Sequence, residues 1–358
     1  MERVRFDVLD GLRGVAAFAV LVMHVTPYNA ILITPHAALA VDFFFGLSGF
    51  VIAAVYEERI KAGMSLKAFM WVRVVRLYPL IVLGAVIGAA GFVRLYDGGM
   101  LALLFVTGVL MIPTPYGALS EDQCMYALNA PSWSLLWELL VNLLYGAIAP
   151  LLHNRMLAVI VGVSAIALAA TGLHFETLAV GPYWPEGWAG LPRVMFSFFA
   201  GVGVYRLRRA GLLDRLHAPV WAVIATLCGI MAMPRLGAWN GVYEVAAAIL
   251  LFPLLVAAGA NATVTRTVPL CRTLGASAST RPAIATSRPV TSDARGLNRQ
   301  NAMTKARASC QFTRSCPYRR DAQRDPRSGV TGRRIDPGDV MPMRVDRGAW
   351  GICHRHTI

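Results

Sequence analysis

Long apolar runs, separated by short polar loops, fill the first 260 residues of the chain. They fall at 8–27, 38–56, 77–96, 100–112, 132–152, 156–173, 192–206, 218–233 and 241–260. Most approach the roughly 20 residues that a membrane-spanning helix needs, whereas 100–112 is short and is followed by Pro113 and Pro115. The pattern predicts an all-α fold, a polytopic integral membrane bundle of about 8–10 transmembrane helices.

Basic residues in the loops predict how these helices are oriented. If the N-terminus is cytoplasmic, the loop after the second run is cytoplasmic too, and it carries Arg59, Lys61, Lys67, Arg73 and Arg76. A second basic loop, at 206–215, joins that side only if 100–112 does not cross. We therefore predict eight spans plus one short segment, in the inner (plasma) membrane, with the N-terminus in the cytoplasm.

Composition supports a membrane protein and divides the chain in two. Charged residues make up 15%, against roughly 25% in soluble domains. Of the net charge of +14, residues 265–358 contribute +12, from 18 Lys and Arg and 6 Asp. We expect a membrane domain over 1–264, a basic tail of little structure over 265–358, and no nucleic-acid partner.

Common cofactor and metal motifs are missing from the sequence. The six cysteines show neither a disulfide framework nor zinc-ligand spacing, and we expect no metal. No Gly-rich phosphate loop of either common type and no Gly-x-Ser-x-Gly motif occurs.

Ionisable residues interrupt the first apolar run, LDGLRGVAAFAVLVMH. Arg13 and His24 differ by about 20° around a helix and by about 16 Å along it, so they share one face. Asp10 is three residues before Arg13 and can pair with it. Because charges in a bilayer are costly unless they face protein or water, this face predicts a polar interior.

Further polar groups lie in two other apolar runs and just before the third run. Asp42 and Ser48 belong to VDFFFGLSGF, and APSWSLLWELLVNLLY contains a cluster made of Trp133, Ser134, Glu138 and Asn142. Arg73 and Arg76 precede the third run at the predicted cytoplasmic surface, where an arginine pair anchors a helix or binds phosphates.

These motifs resemble the membrane acyltransferase-3 family. LDGLRGVAAFAVLVMH is similar to its first-helix signature of an Arg, ten residues and a His. VDFFFGLSGFVI, RVVRLYPL and PSWSLLWELLVNLLY resemble later motifs in the same order. The resemblance implies an enzyme that takes an acyl group, most often acetyl, from acyl-CoA and transfers it to a glycan hydroxyl.

Roles for single residues follow from the same resemblance. His24 becomes the catalytic base, Arg13 steadies the donor or the oxyanion, and Glu138 orients His24 or the acceptor. Arg73 and Arg76 would bind the phosphates of coenzyme A. Further substrate-binding candidates are Asp10, Asp42, Ser48, Trp133 and Ser134. Ser48 as a covalent nucleophile ranks low, because no base is recognisable beside it.

The sequence departs from the family pattern at two places. Glu138 is followed by Leu139 where the family has a second Glu, and the final family helix is missing after 271–275. Two interpretations of residues 277–358 stay open, a disordered basic tail near anionic lipids or an out-of-frame product, and the abrupt break favours the second.

Two other functions remain open from the residues alone. An inactive, truncated acyltransferase follows if the last helix is lost. A transporter or proton-coupled permease would use Arg13, His24, Asp42 and Glu138 as a relay, although no internal repeat supports it.

Overall fold

The computed structural model describes residues 6–25, 34–116 and 123–262. This part of the chain is built from α-helices and short helical turns, contains no β-strand, and confirms the predicted all-α fold. The helices are α1 Asp7–Val25, α2 Ala40–Lys61, α3 Leu66–Phe92, α4 Gly98–Val109, α5 Ser132–Ile148, α6 Asn154–His174, α7 Gly190–Arg209, α8 Val220–Ala232, α9 Asn240–Ala246 and α10 Phe252–Asn261, with a π-helical turn, Ala247–Leu251, joining the last two. The tail predicted over 265–358 lies outside the described residues.

Several of these helices have the length and composition of membrane spans. Within the described residues, four apolar stretches are long enough, at Ala37–Lys61, Leu66–Phe92, Asn154–His174 and Gly237–Asn261. Three shorter helices, α4, α5 and α8, are also apolar. The chain is therefore a multi-pass membrane protein.

Contacts between helix ends define two ends of the bundle. At one end, Arg206 near the end of α7 binds Glu57 of α2 and Asn154 at the start of α6. Arg208 binds Asn261 at the end of α10. We call this the basic end. At the opposite end, the starts of α2 and α7 meet, and His36 bonds to Met231 at the end of α8.

The order of helices between these ends matches the charge pattern. Within the described residues, α2 and α7 run from the opposite end to the basic end, whereas α6 starts at the basic end and α8 finishes at the opposite end. At 12 residues, α4 is about 18 Å long, well short of the ~30 Å of bilayer hydrocarbon. It is the short segment expected near 100–112.

The start of α3 differs from the prediction. The helix begins at Leu66, about ten residues before the third apolar run, because Ser65 caps it and accepts a hydrogen bond from the Ala68 backbone. Phe69 is fully buried there against Tyr56. The prediction that Arg73 and Arg76 lie in a surface loop before a proline-started helix is therefore wrong. Both are on α3, and Pro79 lies inside it.

Close packing of α2 against α7 forms the centre of the bundle. The two helices run parallel, and glycines bring their backbones together. A Cβ atom at Gly49 would lie 1.9 Å from the Phe198 carbonyl oxygen, and one at Gly201 would lie 2.1 Å from the Gly46 carbonyl oxygen. This approach aligns polar side chains of the two helices at both ends.

Candidate active site

Ser48, Glu138 and three arginines, one of them exposed, lie near one another on four helices of the bundle. The Ser48 hydroxyl of α2 donates a 2.8 Å hydrogen bond to Glu138 Oε1 of α5. The charges of Arg76, Glu138 and Arg73 all act on the guanidinium of Arg13. We call Arg13, Ser48, Arg73, Arg76 and Glu138 the arginine–glutamate cluster. Sequence reasoning selected each member, but only the structure joins them.

Arg13 is held as the sequence predicts. Its Nη1 donates to Asp10 Oδ1 at 3.2 Å, one turn earlier on α1. The Asp10 side chain is 43% exposed and that of Arg13 is 17% exposed. The pair therefore lies at an opening of the bundle rather than in its sealed core.

Arg73 is buried, contrary to the predicted surface position. Its guanidinium lies 4.7 Å from the ring centroid of Tyr56 and 5.9 Å from that of Phe69. Such stacking stabilises a desolvated cation. Arg73 Nε is buried without a hydrogen-bond partner among the described residues. Arg76, one turn further along, is exposed.

Positive charge exceeds negative charge in this cluster. Three guanidinium groups face two carboxylates, Asp10 and Glu138, and one of the guanidinium donors is unused. Like charges at close range are unfavourable unless an anion separates them. The arrangement therefore suits an anionic ligand with phosphate or carboxylate oxygens.

His24 lies apart from the cluster, towards the opposite end of α1. Its Nδ1 lies 2.8 Å from the carbonyl oxygen of Val20. A carbonyl only accepts, so in the neutral ring Nδ1 carries the proton, and Nε2 keeps a lone pair that can take one. Within the described residues Glu138 is bonded to Ser48 and not to His24. No contact among the described residues therefore supports a direct role of Glu138 in orienting His24.

Asp42 has an internal partner that sequence reasoning missed. Arg193 of α7 donates to both carboxylate oxygens of Asp42, at 3.1 and 2.6 Å. It also donates to the carbonyl oxygens of Val180 and Ala38. Both side chains of the pair are fully buried. The sequence contained a signal for this buried pair, because Arg193 is an ionisable residue in the apolar run 192–206.

Two predicted substrate-binding residues at the start of α5 also have local contacts. Trp133 is 2% exposed, and the Arg193 guanidinium stacks 5.3 Å from its ring. The Ser134 hydroxyl donates to the Pro131 carbonyl at 2.9 Å. Their substrate-binding roles stay predictions.

A second buried network at the opposite end was also missed. His36 Nδ1 lies 2.8 Å from Glu244 Oε1, and Glu244 Oε2 accepts from the Thr177 hydroxyl and the Leu178 backbone. The network ties the connection before α2 to α9 and to the loop after α6. Glu244 interrupts the run 241–260, which was the available signal.

The loop between α6 and α7 carries one perturbed carboxyl group. The Gly181 backbone donates to Glu186 Oε1 at 3.0 Å. Burial raises the pKa of the Glu186 carboxyl above its usual range, against the opposing effect of this hydrogen bond. Trp184 in the same loop donates from its indole to the Thr114 carbonyl.

Comparison with known proteins agrees with this architecture, a multi-pass helical membrane protein with a polar, cationic interior cluster. The acyltransferase-3 family, described as an acyltransferase domain, matches residues 6–278. "Protein 2 in picA locus" of Rhizobium radiobacter is 35% identical over 188 residues, covering 48% of this chain and 96% of that protein. No solved structure matches. The chain belongs to the acyltransferase-3 family and is a membrane acyltransferase.

Proposed function

We propose that this acyltransferase moves an acyl group, most often acetyl, from acyl-CoA to a hydroxyl of a cell-surface glycan or related carbohydrate. The observation that carries the proposal is the excess of arginine beside a hydroxyl–carboxylate pair within a bundle of this family. Acyl-CoA carries several negative charges and a reactive thioester. The arginines of the cluster offer cations to the charges, and Ser48 and Glu138 offer polar groups to the thioester.

The donor would enter from the basic end. Arg73 and Arg76 lie in the first half of α3, which starts at that side. The Nε of Arg73, which has no partner among the described residues, supplies a donor for a phosphate oxygen. Basic residues concentrate in cytoplasmic segments, so we place this end in the cytoplasm of the inner membrane, where acyl-CoA is made.

Arg13 would steady the acyl donor. The charge of Glu138 acts on its guanidinium, which keeps partial access to solvent. A guanidinium offers several N–H donors to the phosphate and carbonyl oxygens of a bound acyl-CoA.

His24 would deprotonate the acceptor hydroxyl through Nε2, since the neutral imidazole can take a proton there. Because His24 lies about 16 Å along α1 from Arg13, donor and acceptor would approach from opposite ends of the bundle. Among the described residues, no three His, Cys, Asp or Glu side chains lie together in a way that could hold a metal ion.

Acetyl transfer in isolated membranes tests the proposal. Labelled acetyl-CoA and a crude envelope glycan fraction are supplied to the wild type, His24→Ala and Arg76→Gln. We expect label in glycan from the wild type, none from His24→Ala, and a raised KM for acetyl-CoA in Arg76→Gln. His217→Ala and Arg215→Gln, exposed on the loop after α7, are matched controls.

The negative outcomes separate the alternatives. If the wild type shows no transfer but gains it when a terminal family helix replaces 277–358, the chain is an inactive, truncated acyltransferase. If transport coupled to a pH gradient occurs without CoA, the enzyme assignment is wrong and the polar residues form a relay.

A further inference from the structure

A depression of about 500 Å³ opens at the basic end, away from the arginine–glutamate cluster. It lies where α2 and α7 end and α6 begins. Side chains capable of hydrogen bonding make up most of its lining, namely Glu57, Lys61, His153, Asn154, Arg206 and Arg209. None of these residues has a role in the acyl transfer proposed above.

The carboxylate and amide oxygens that line this depression are already occupied. Glu57 is 2% exposed, and its carboxylate accepts from Lys61 Nζ at 2.7 Å and from Arg206 Nε at 3.1 Å. The Asn154 side-chain oxygen accepts from Arg206 Nη1 at 3.0 Å. The remaining Arg206 nitrogen donates to the Leu152 carbonyl.

The donors, in contrast, are left over. Lys61 has three N–H bonds and uses one, and its side chain is 40% exposed. Since the Asn154 oxygen is occupied, the NH₂ group of that amide remains. The first backbone N–H groups of α6 lack intrahelical partners, and no side chain caps them. The depression therefore suits a negatively charged ligand that accepts hydrogen bonds.

The helix α6, whose start lines this depression, carries an apolar stripe on another face, about 140° around the helix from Asn154. Leu151 is 75% exposed, and Val159, Val163 and Ile166 are 63%, 63% and 73% exposed. The last three are spaced by four and three residues, so they follow one face of the helix. In a membrane-spanning helix, such a face is in contact with lipid chains.

We propose that this depression binds the phosphate of an anionic phospholipid, whose acyl chain lies along the α6 stripe. A cationic pocket with spare donors explains the phosphate, and the apolar face of α6 favours a lipid over a free phosphate. Basic pockets between helices at the cytoplasmic surface bind acidic headgroups in this way.

Asn154→Asp is the sharpest test variant. It keeps an oxygen for Arg206, so the local fold is preserved, and it replaces the free NH₂ donor by a carboxylate oxygen that repels phosphate. Lys61→Gln with Arg209→Gln removes two charges from the same depression. Lys67→Gln with Arg215→Gln is the matched control, since it removes two exposed charges elsewhere at the basic end.

Native mass spectrometry of the purified full chain measures the binding. Wild type and variants are titrated with phosphatidylglycerol, with phosphatidylcholine, and with phosphatidylglycerol plus excess glycerol phosphate. We expect the wild type to prefer phosphatidylglycerol, and Asn154→Asp and the Lys61/Arg209 variant to lose affinity by roughly tenfold. The control should bind as the wild type does.

Three results would overturn the proposal. Equal affinity for the two lipids in the wild type shows that the phosphate is not selected. Equal loss in the Lys67/Arg215 control reduces the effect to diffuse surface charge. Full competition by glycerol phosphate shows a phosphate site without a lipid.

Discussion

The Asp42–Arg193 pair should be a main determinant of the stability of the bundle. Asp42→Asn removes the charge with little change in shape and leaves the Arg193 guanidinium buried without a counter-ion. Breaking a fully buried ion pair on one side costs about 3–5 kcal/mol, because the remaining charge is uncompensated. We expect a loss near the lower limit of about 3 kcal/mol, because the Val180 and Ala38 carbonyls still accept from Arg193.

This loss is measurable as a shift in the unfolding equilibrium. Each ~1.4 kcal/mol is a factor of ten, so the constant should change by more than about a hundredfold. Purified protein in detergent micelles would be unfolded with SDS and followed by far-ultraviolet circular dichroism. Glu58→Gln, also on α2, breaks an exposed pair with Arg209 of α7 and should leave the midpoint unchanged.

A double-mutant cycle distinguishes pairing from separate effects. Arg193→Met alone leaves Asp42 as the uncompensated charge, whereas Asp42→Asn with Arg193→Met leaves no charge at all. The double variant should therefore be more stable than the sum of the single losses predicts. Additive losses, or a wild-type midpoint for Asp42→Asn, would show that the pair does not couple α2 to α7.

Three further predictions concern the cluster, the helix contact and the loop after α6. Ser48→Ala removes the hydrogen-bond donor to Glu138 and should slow the release of CoA during acyl transfer by about 10²-fold. Ser48→Thr keeps the hydroxyl and is the control. A wild-type rate for the alanine variant contradicts a role of Ser48 in the reaction. Gly49→Ala forces a methyl group onto a backbone carbonyl of α7 and should lower the melting temperature, whereas Gly203→Ala, with open space around it, should not; equal shifts would refute close packing. Because the folded pKa of Glu186 is raised, stability should fall as pH rises from the ordinary glutamate pKa to the folded value; Glu186→Gln should flatten that slope in pH-dependent melts, and an unchanged slope would refute it.

Sequence periodicity was sufficient for the helices and for local pairs. Apolar runs predicted the all-α membrane fold, because a bilayer requires about 20 apolar residues per span. The Arg13–Asp10 bond was predictable from a spacing of three residues on one helix. The start of α3 was missed because basic residues interrupt its first turns, and the apolar signal begins only after them.

Tertiary structure alone decided which polar groups meet. Ser48 and Glu138 are 90 residues apart, and Asp42 and Arg193 are 151 apart. Nothing in either local pattern encodes such a partner, because the pairing depends on how the helices pack. The glycine contacts of α2 with α7 set that packing, so they bring Asp42 to a buried arginine, whereas the packing of α2 against α5 places a carboxylate beside Ser48. The sequence by itself determined which residues are costly in a membrane, and the fold determined how each of them is stabilised.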